Sequence, residues 1–178
     1  MREHVTDAFV LGRRPHREWD VVADLFTESL GRVEARVIGG TRMLSKFSPH
    51  LDPLNRARVR LVSKNALTLT DIVTSDRGTD MRSDRASLRR AIEVAFLIRK
   101  LVPRGTPDGR LWTFLSDVPR AETPAVPGLL AHLGYDPRHG RCELCGNKAL
   151  SHFVVSDQAF TCLACHVKFP VNEVVYIR

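Results

Sequence analysis

Four cysteines, Cys142, Cys145, Cys162 and Cys165, are the only ones in this 178-residue chain, and they fall as two C-x-x-C pairs separated by sixteen residues. No other feature restricts the fold so tightly. Two thiolates three positions apart in a tight turn occupy one edge of a tetrahedron. A second such turn supplies the opposite edge, which is the geometry of a four-cysteine zinc site. Gly146 follows the first pair, where the knuckle needs a residue free to take positive φ. Between the pairs, residues 152–155 and 159–161 read as short strands around a Ser156-Asp157-Gln158 turn. The segment from about 140 to 170 is therefore expected to be a zinc ribbon holding one structural Zn2+.

Other chemistries of these cysteines fit less well. Disulfides need an oxidising compartment, and the first thirty residues are studded with Arg, Glu and Asp, with no apolar stretch of a secretory leader. A redox motif explains one C-x-x-C but not the second. His16-Arg17-Glu18 matches the H-x-E of zinc deaminases, but Arg141 and Thr161 stand where that signature has Pro. Four thiolates also saturate the metal and leave no position for a water. His152 and His166 could substitute as ligands, but with four cysteines at hand they are expected on the ribbon surface. No Gly-rich phosphate loop, paired carboxylate set or Ser/His/Asp arrangement is visible, so the chain is expected to bind rather than to catalyse. The longest apolar run, residues 94–98, is five residues long. That is far below the ~20 needed to cross a bilayer, and a cytoplasmic protein with no membrane partner is expected.

Charge points to a polyanionic partner. The formal net charge is +7, and residues 31–110 alone hold 17 Lys and Arg against 8 Asp and Glu. The remainder holds 10 basic and 12 acidic residues, so the excess lies in the middle of the chain and outside the cysteine segment. There, residues 55–61 alternate, with Arg56, Arg58 and Arg60 on one face of a strand and Ala57, Val59 and Leu61 on the other. Three guanidinium groups about 7 Å apart can follow a phosphate backbone. An ordinary solvated strand face gives the same pattern. Arg32, Arg36, Arg42, Lys46 and Lys64 on neighbouring elements, with Arg89 and Arg90 on a helix, extend the candidate nucleic-acid surface. Aromatics are few: Phe9 and Phe26 are expected in the core, Phe47 is a candidate for base contact, and Trp19 fits either role. Binding dominated by phosphate follows.

Residues 5–14, 21–28, 32–38, 55–61 and 67–73 read as five strands, with a turn at 14–18 and a polar loop at 41–49. Five strands in so short a stretch predict a small closed barrel of the OB-fold kind. Ser83 or Asp84 can cap a helix running to about residue 102, with Leu88, Ala91, Ile92, Ala95, Ile98 and Val102 as its apolar stripe. Further helices are predicted over 109–117 and 124–133. The expected class is α+β and multi-domain: an OB-fold-like barrel over residues 1–80, and a helical bundle over 81–178 into which the zinc ribbon is inserted.

The segment Asp7-Ala8-Phe9-Val10-Leu11-Gly12-Arg13-Arg14-Pro15-His16-Arg17-Glu18 resembles the opening of RecO-type DNA repair proteins. So do Leu25-Phe26-Thr27-Glu28, Leu30-Gly31-Arg32-Val33 and Gly39-Gly40-Thr41-Arg42, in that order. Gly128-Leu129-Leu130-Ala131-His132-Leu133-Gly134-Tyr135-Asp136-Pro137 is similar to the run that leads into the family's Cys-x-x-Cys-Gly. The resemblance covers residues 6–165 or so. It implies a recombination mediator that binds single- and double-stranded DNA, anneals complementary strands, partners RecR and helps load RecA onto DNA coated by single-strand binding protein. It also implies a cytoplasmic protein that joins the nucleoid when bound to DNA. The helical part is shorter than the family pattern, which bears on the contact with single-strand binding protein. Two other readings share these features: a zinc-ribbon RNA-binding adaptor of the transcription or translation machinery, and a protein-interaction scaffold.

Overall fold

The computed structural model describes residues 1–117 and 125–177. Contacts divide the chain into two compact units, Met1–Pro119 and Arg120–Arg178.

The first unit is built on five strands, β1 (Arg2–His16), β2 (Asp20–Thr27), β3 (Gly31–Val37), β4 (Arg56–Ser63) and β5 (Leu67–Asp76). β4 alternates apolar with polar residues, so one face is buried and the other hydrated, whereas β2 is buried almost throughout. The buried face gathers Ala8, Val10, Ala23, Leu25, Ala35, Val37, Val59, Leu61 and Leu69, joined by Leu51 from the connection between β3 and β4. The hydrogen-bonded order closes on itself, β1-β2-β3-β5-β4 and back to β1. β1 serves two partners, pairing with β4 through residues 2–9 and with β2 through 8–16. A register shift between Val10 and Gly12 bends it between them. The seam between β3 and β5 is narrow, a single parallel pair of Arg36 with Thr68.

Helices complete this unit. A short α1 (Thr79–Ser83) precedes α2 (Arg85–Leu101), which starts at Asp84 because its carboxylate accepts from the N–H groups of Ala86 and Ser87. Ala91, Val94, Ala95, Leu97 and Ile98 form its buried stripe. Of the predicted stripe, Ala91, Ala95, Ile98 and Val102 are buried and Leu88 is partly buried, whereas Ile92 is half exposed, because the inward i, i+3, i+4, i+7 series runs 91, 94, 95, 98. Helix α3 (Gly109–Asp117) is capped by Asp108, which accepts from the N–H groups of Arg110 and Leu111 at 2.9 Å. Its Trp112 packs on Phe9 and Phe26 of β1 and β2, with ring centroids 4.9 and 6.4 Å away. These helices therefore belong with the sheet, and the compact units part at residue 119 instead of at 80. Gly31 makes the close approach possible. Its φ is +66°, and a Cβ there would lie 1.9 Å from the carbonyl oxygen of Thr106.

The second unit holds α4 (Ala125–His132) and a three-stranded sheet in the order β7-β6-β8, from β6 (Leu150–Val154), β7 (Ala159–Cys162) and β8 (Val174–Tyr176). Phe153 and Phe160 meet edge to face at 5.2 Å in its core. The hairpin matches the predicted ribbon strands, and β8 adds a third that sequence reading did not assign. Pro124, the predicted start of the last helix, lies outside the described residues. Among the described residues no helix is long and apolar enough to cross a membrane.

Candidate metal centre and nucleic-acid interface

The four cysteines converge. Cys142 and Cys145 sit on a knuckle in which the Cys142 N–H donates to the carbonyl of Asn147 and the Gly146 N–H donates to the carbonyl of Cys142, with Gly146 at φ +72°. Cys162 ends β7, and the Cys165 N–H donates back to its carbonyl at 3.1 Å. All four sulfur atoms lie within 4.8 Å of one another, and Cys145 Sγ is 3.7 Å from Cys162 Sγ. Tetrahedral coordination with metal–sulfur bonds of about 2.3 Å sets sulfur atoms about 3.8 Å apart, so the cluster has the dimensions of a four-thiolate site. Its electrostatics ask for a cation. Burial works against ionising Cys142, yet backbone N–H groups around it lower its pKa to about 6. Cys165 is pushed up to about 12, because its hydrogen bonds with the Cys162 and Cys145 sulfurs would be lost to repulsion between thiolates. A bound divalent cation removes that conflict. These residues could hold a metal ion and would leave it no open position. His152 and His166 stand outside the cluster, stacked on each other at 4.0 Å, with His166 Nδ1 donating to the Leu163 carbonyl.

The predicted basic residues do not form one free surface. Arg56, Arg58 and Arg60 line the outer face of β4, as expected, but each faces a carboxylate of β1. Asp7 lies 3.7 Å from Arg56 and 3.1 Å from Arg58, and Glu3 lies 3.1 Å from Arg60. Asp71 of β5 stands opposite Arg60 in register and pairs with Lys46 at 3.3 Å. Arg36 is held by Asp20, which also accepts from the Gly39 N–H. That backbone hydrogen bond, reinforced by Arg36, lowers the Asp20 pKa. Arg89 pairs with Glu93 one turn along α2, and Arg90 with Ser87 and Asp84. Arg42 and Lys64 are exposed and face no carboxylate among the described residues.

Arg32 corrects the prediction. It is 9% exposed, grips Asp24 through two hydrogen bonds of 3.1 Å, and donates a third to the Val102 carbonyl. Arg99 of α2 reaches the same Asp24 over Gly12. Arg32 is therefore part of the clamp between sheet and helix, and no phosphate can reach its guanidinium. Its position in a strand face gave no sign of this, because the covering element lies seventy residues away.

Sequence reading also treated 41–49 as a polar loop. It carries Met43 and Leu44 fully in solvent, and its Thr41 N–H donates to the carbonyl of the half-exposed Trp19. Two apolar residues in a segment with no periodicity are the signal that could have marked it.

Comparison with known proteins gives a consistent picture. The family described as Recombination protein O N terminal matches residues 1–75. The DNA repair protein RecO of Geobacter metallireducens is 34% identical over 62% of this chain and 46% of its own length. The one from Myxococcus xanthus is 29% identical over 82% of this chain and 65% of its own length. That of Thermoanaerobacter is 28% identical over 98% of this chain and 77% of its own. The chain thus spans about half to two thirds of the length of the first two of these relatives.

Proposed function

We propose that this chain is a RecO-type DNA repair protein that binds single- and double-stranded DNA and anneals complementary strands. With RecR it would assist the loading of RecA onto DNA covered by single-strand binding protein, in the cytoplasm and on the nucleoid, as a binding protein and not an enzyme. The observation that carries this reading is the charge of residues 31–110, where 17 basic residues face 8 acidic ones, within the unit that holds the family match.

Annealing brings two polyanions together. It needs cations that lower their repulsion and leave the base edges free to pair. Guanidinium groups on an outer strand face meet that need without reading sequence. Their ion pairs with Glu3 and Asp7 are exposed and worth about 0–1 kcal/mol each, so a phosphate can displace the carboxylate. The strand order β1-β2-β3-β5-β4 supports an OB-fold-type barrel, a scaffold suited to oligonucleotides. Cys142, Cys145, Cys162 and Cys165 would hold one Zn2+, which supplies folding free energy to a small unit and no chemistry.

An annealing assay on complementary oligonucleotides, with zinc present, tests the proposal. Acceleration that fades as salt rises is expected. No acceleration at low salt would remove it, and RNA binding stronger than DNA binding would favour the adaptor reading.

A further inference from the structure

Two loops meet where β1 turns into β2 and β3 ends. Val21 pairs with Val37, the Thr41 N–H donates to the Trp19 carbonyl at 3.1 Å, and the Gly39 N–H donates to Asp20. This rim exposes apolar side chains that water would ordinarily exclude: Trp19 at 49%, Ile38 at 60%, Met43 at 100% and Leu44 at 96%. Arg17 and Arg42 flank them, both exposed and in no ion pair among the described residues, although the Arg17 charge helps to lower the pKa of Asp20. Arg17 also holds φ at +59°, a conformation that a residue with a Cβ seldom adopts and that often marks a functional turn. Glu18, next to Arg17 in the turn, is exposed. Asp20 is occupied by Arg36 and Gly39.

The rim therefore combines an exposed indole that can be stacked upon, exposed apolar side chains and two exposed guanidinium groups. A nucleobase has two apolar faces and is followed on both sides by phosphate, which is the complement of that set. We propose that this rim holds single-stranded nucleic acid, with one base stacked on Trp19 and the adjoining phosphates on Arg17 and Arg42. Duplex DNA offers no free base face, so the rim selects single strands, whereas the β4 arginines take either form. The inference rests on the DNA-binding reading above and adds to it where the single strand is gripped.

The two tryptophans make this testable in the full, zinc-loaded chain. Trp112 is 9% exposed and packed on Phe9 and Phe26, so Trp19 is the one that a ligand reaches directly. Titration with an oligothymidylate should quench its emission, and a duplex of equal length should quench it far less. Trp19→Ala should weaken oligothymidylate binding about five- to a hundredfold and leave duplex affinity within about twofold. Trp19→Phe should restore most of the loss, which a folding defect would not allow. Wild-type affinity in Trp19→Ala, or equal losses for single strand and duplex, overturns the inference and leaves the DNA-binding reading intact. Failure of the unaltered protein to bind either DNA overturns both.

Discussion

Replacing Arg32 by Met separates a structural arginine from a DNA-binding one. Methionine keeps much of the apolar stem and removes the guanidinium. The loss is three hydrogen bonds, two to Asp24 and one to the Val102 carbonyl, at a pair whose side chains are 10% and 8% exposed. Removing one partner of a buried ion pair costs about 3–5 kcal/mol, because the other charge is left without compensation. Arg99 still reaches Asp24 at 3.3 Å, which places the expected cost near the lower end, about 3 kcal/mol. For a unit of this size that lowers the thermal midpoint by roughly 10–15 °C. Far-UV circular dichroism during urea and thermal unfolding reads the cost, and DNA affinity measured over a salt series reads the function. The salt slope should be unchanged, since no phosphate contact is lost. Adding Asp24→Leu should recover part of the stability, because a well-packed apolar pair can replace a buried ionic one. If Arg32→Met unfolds like the unaltered protein and its salt slope drops by about 1, Arg32 contacts phosphate and the clamp is wrong.

Chelation should unfold the second unit first. Both tyrosines, Tyr135 and Tyr176, lie in that unit and both tryptophans in the other, so tyrosine near-UV signal should vanish while tryptophan emission holds; simultaneous loss would show that the units do not fold apart. Changing Arg56, Arg58 and Arg60 together to Gln should reduce the duplex-DNA salt slope by about 2–3 with little effect on stability, and an unchanged slope would leave that row a solvated face. Asp20 titrates below its ordinary value of 3.8, so its stabilisation is complete above that pH and disappears as pH falls through the lower folded value. The stability gap between the unaltered protein and Asp20→Asn should therefore narrow below about pH 4, and a gap constant from pH 6 to 2 would refute the assignment.

The four-cysteine cluster was legible in sequence because its determinants are local. Two C-x-x-C turns and the hairpin between them fix the geometry within about thirty residues. The strands and α2 were legible for the same reason: period-2 alternation in β4 and an Asp84 cap ahead of a periodic run both act within one element. What escaped depends on contacts between distant segments. The helices dock on the sheet through Trp112 on Phe9 and through Arg99 and Val102 on the Asp24–Arg32 pair, across separations of about seventy to a hundred residues. Nothing in the local pattern of Arg32 tells a strand face open to water from one that a helix will cover.

The same limit explains why a row of arginines is ambiguous until its neighbours are known. Arg56, Arg58 and Arg60 alternate with Ala57, Val59 and Leu61 whether the outer face carries DNA or only carboxylates. Register decides: β1 sets Asp7 opposite Arg58, and β5 sets Asp71 opposite Arg60. The two roles do not exclude each other. An exposed ion pair worth about 0–1 kcal/mol is a weak competitor for a phosphate backbone whose binding also releases condensed counterions. If this row carries DNA, the carboxylates set how sharply binding depends on salt: with Glu3 and Asp7 in place, part of each arginine's gain would go to breaking its resting pair. Neutral replacements of Glu3 and Asp7 should therefore tighten DNA binding, by an amount that shrinks as salt rises.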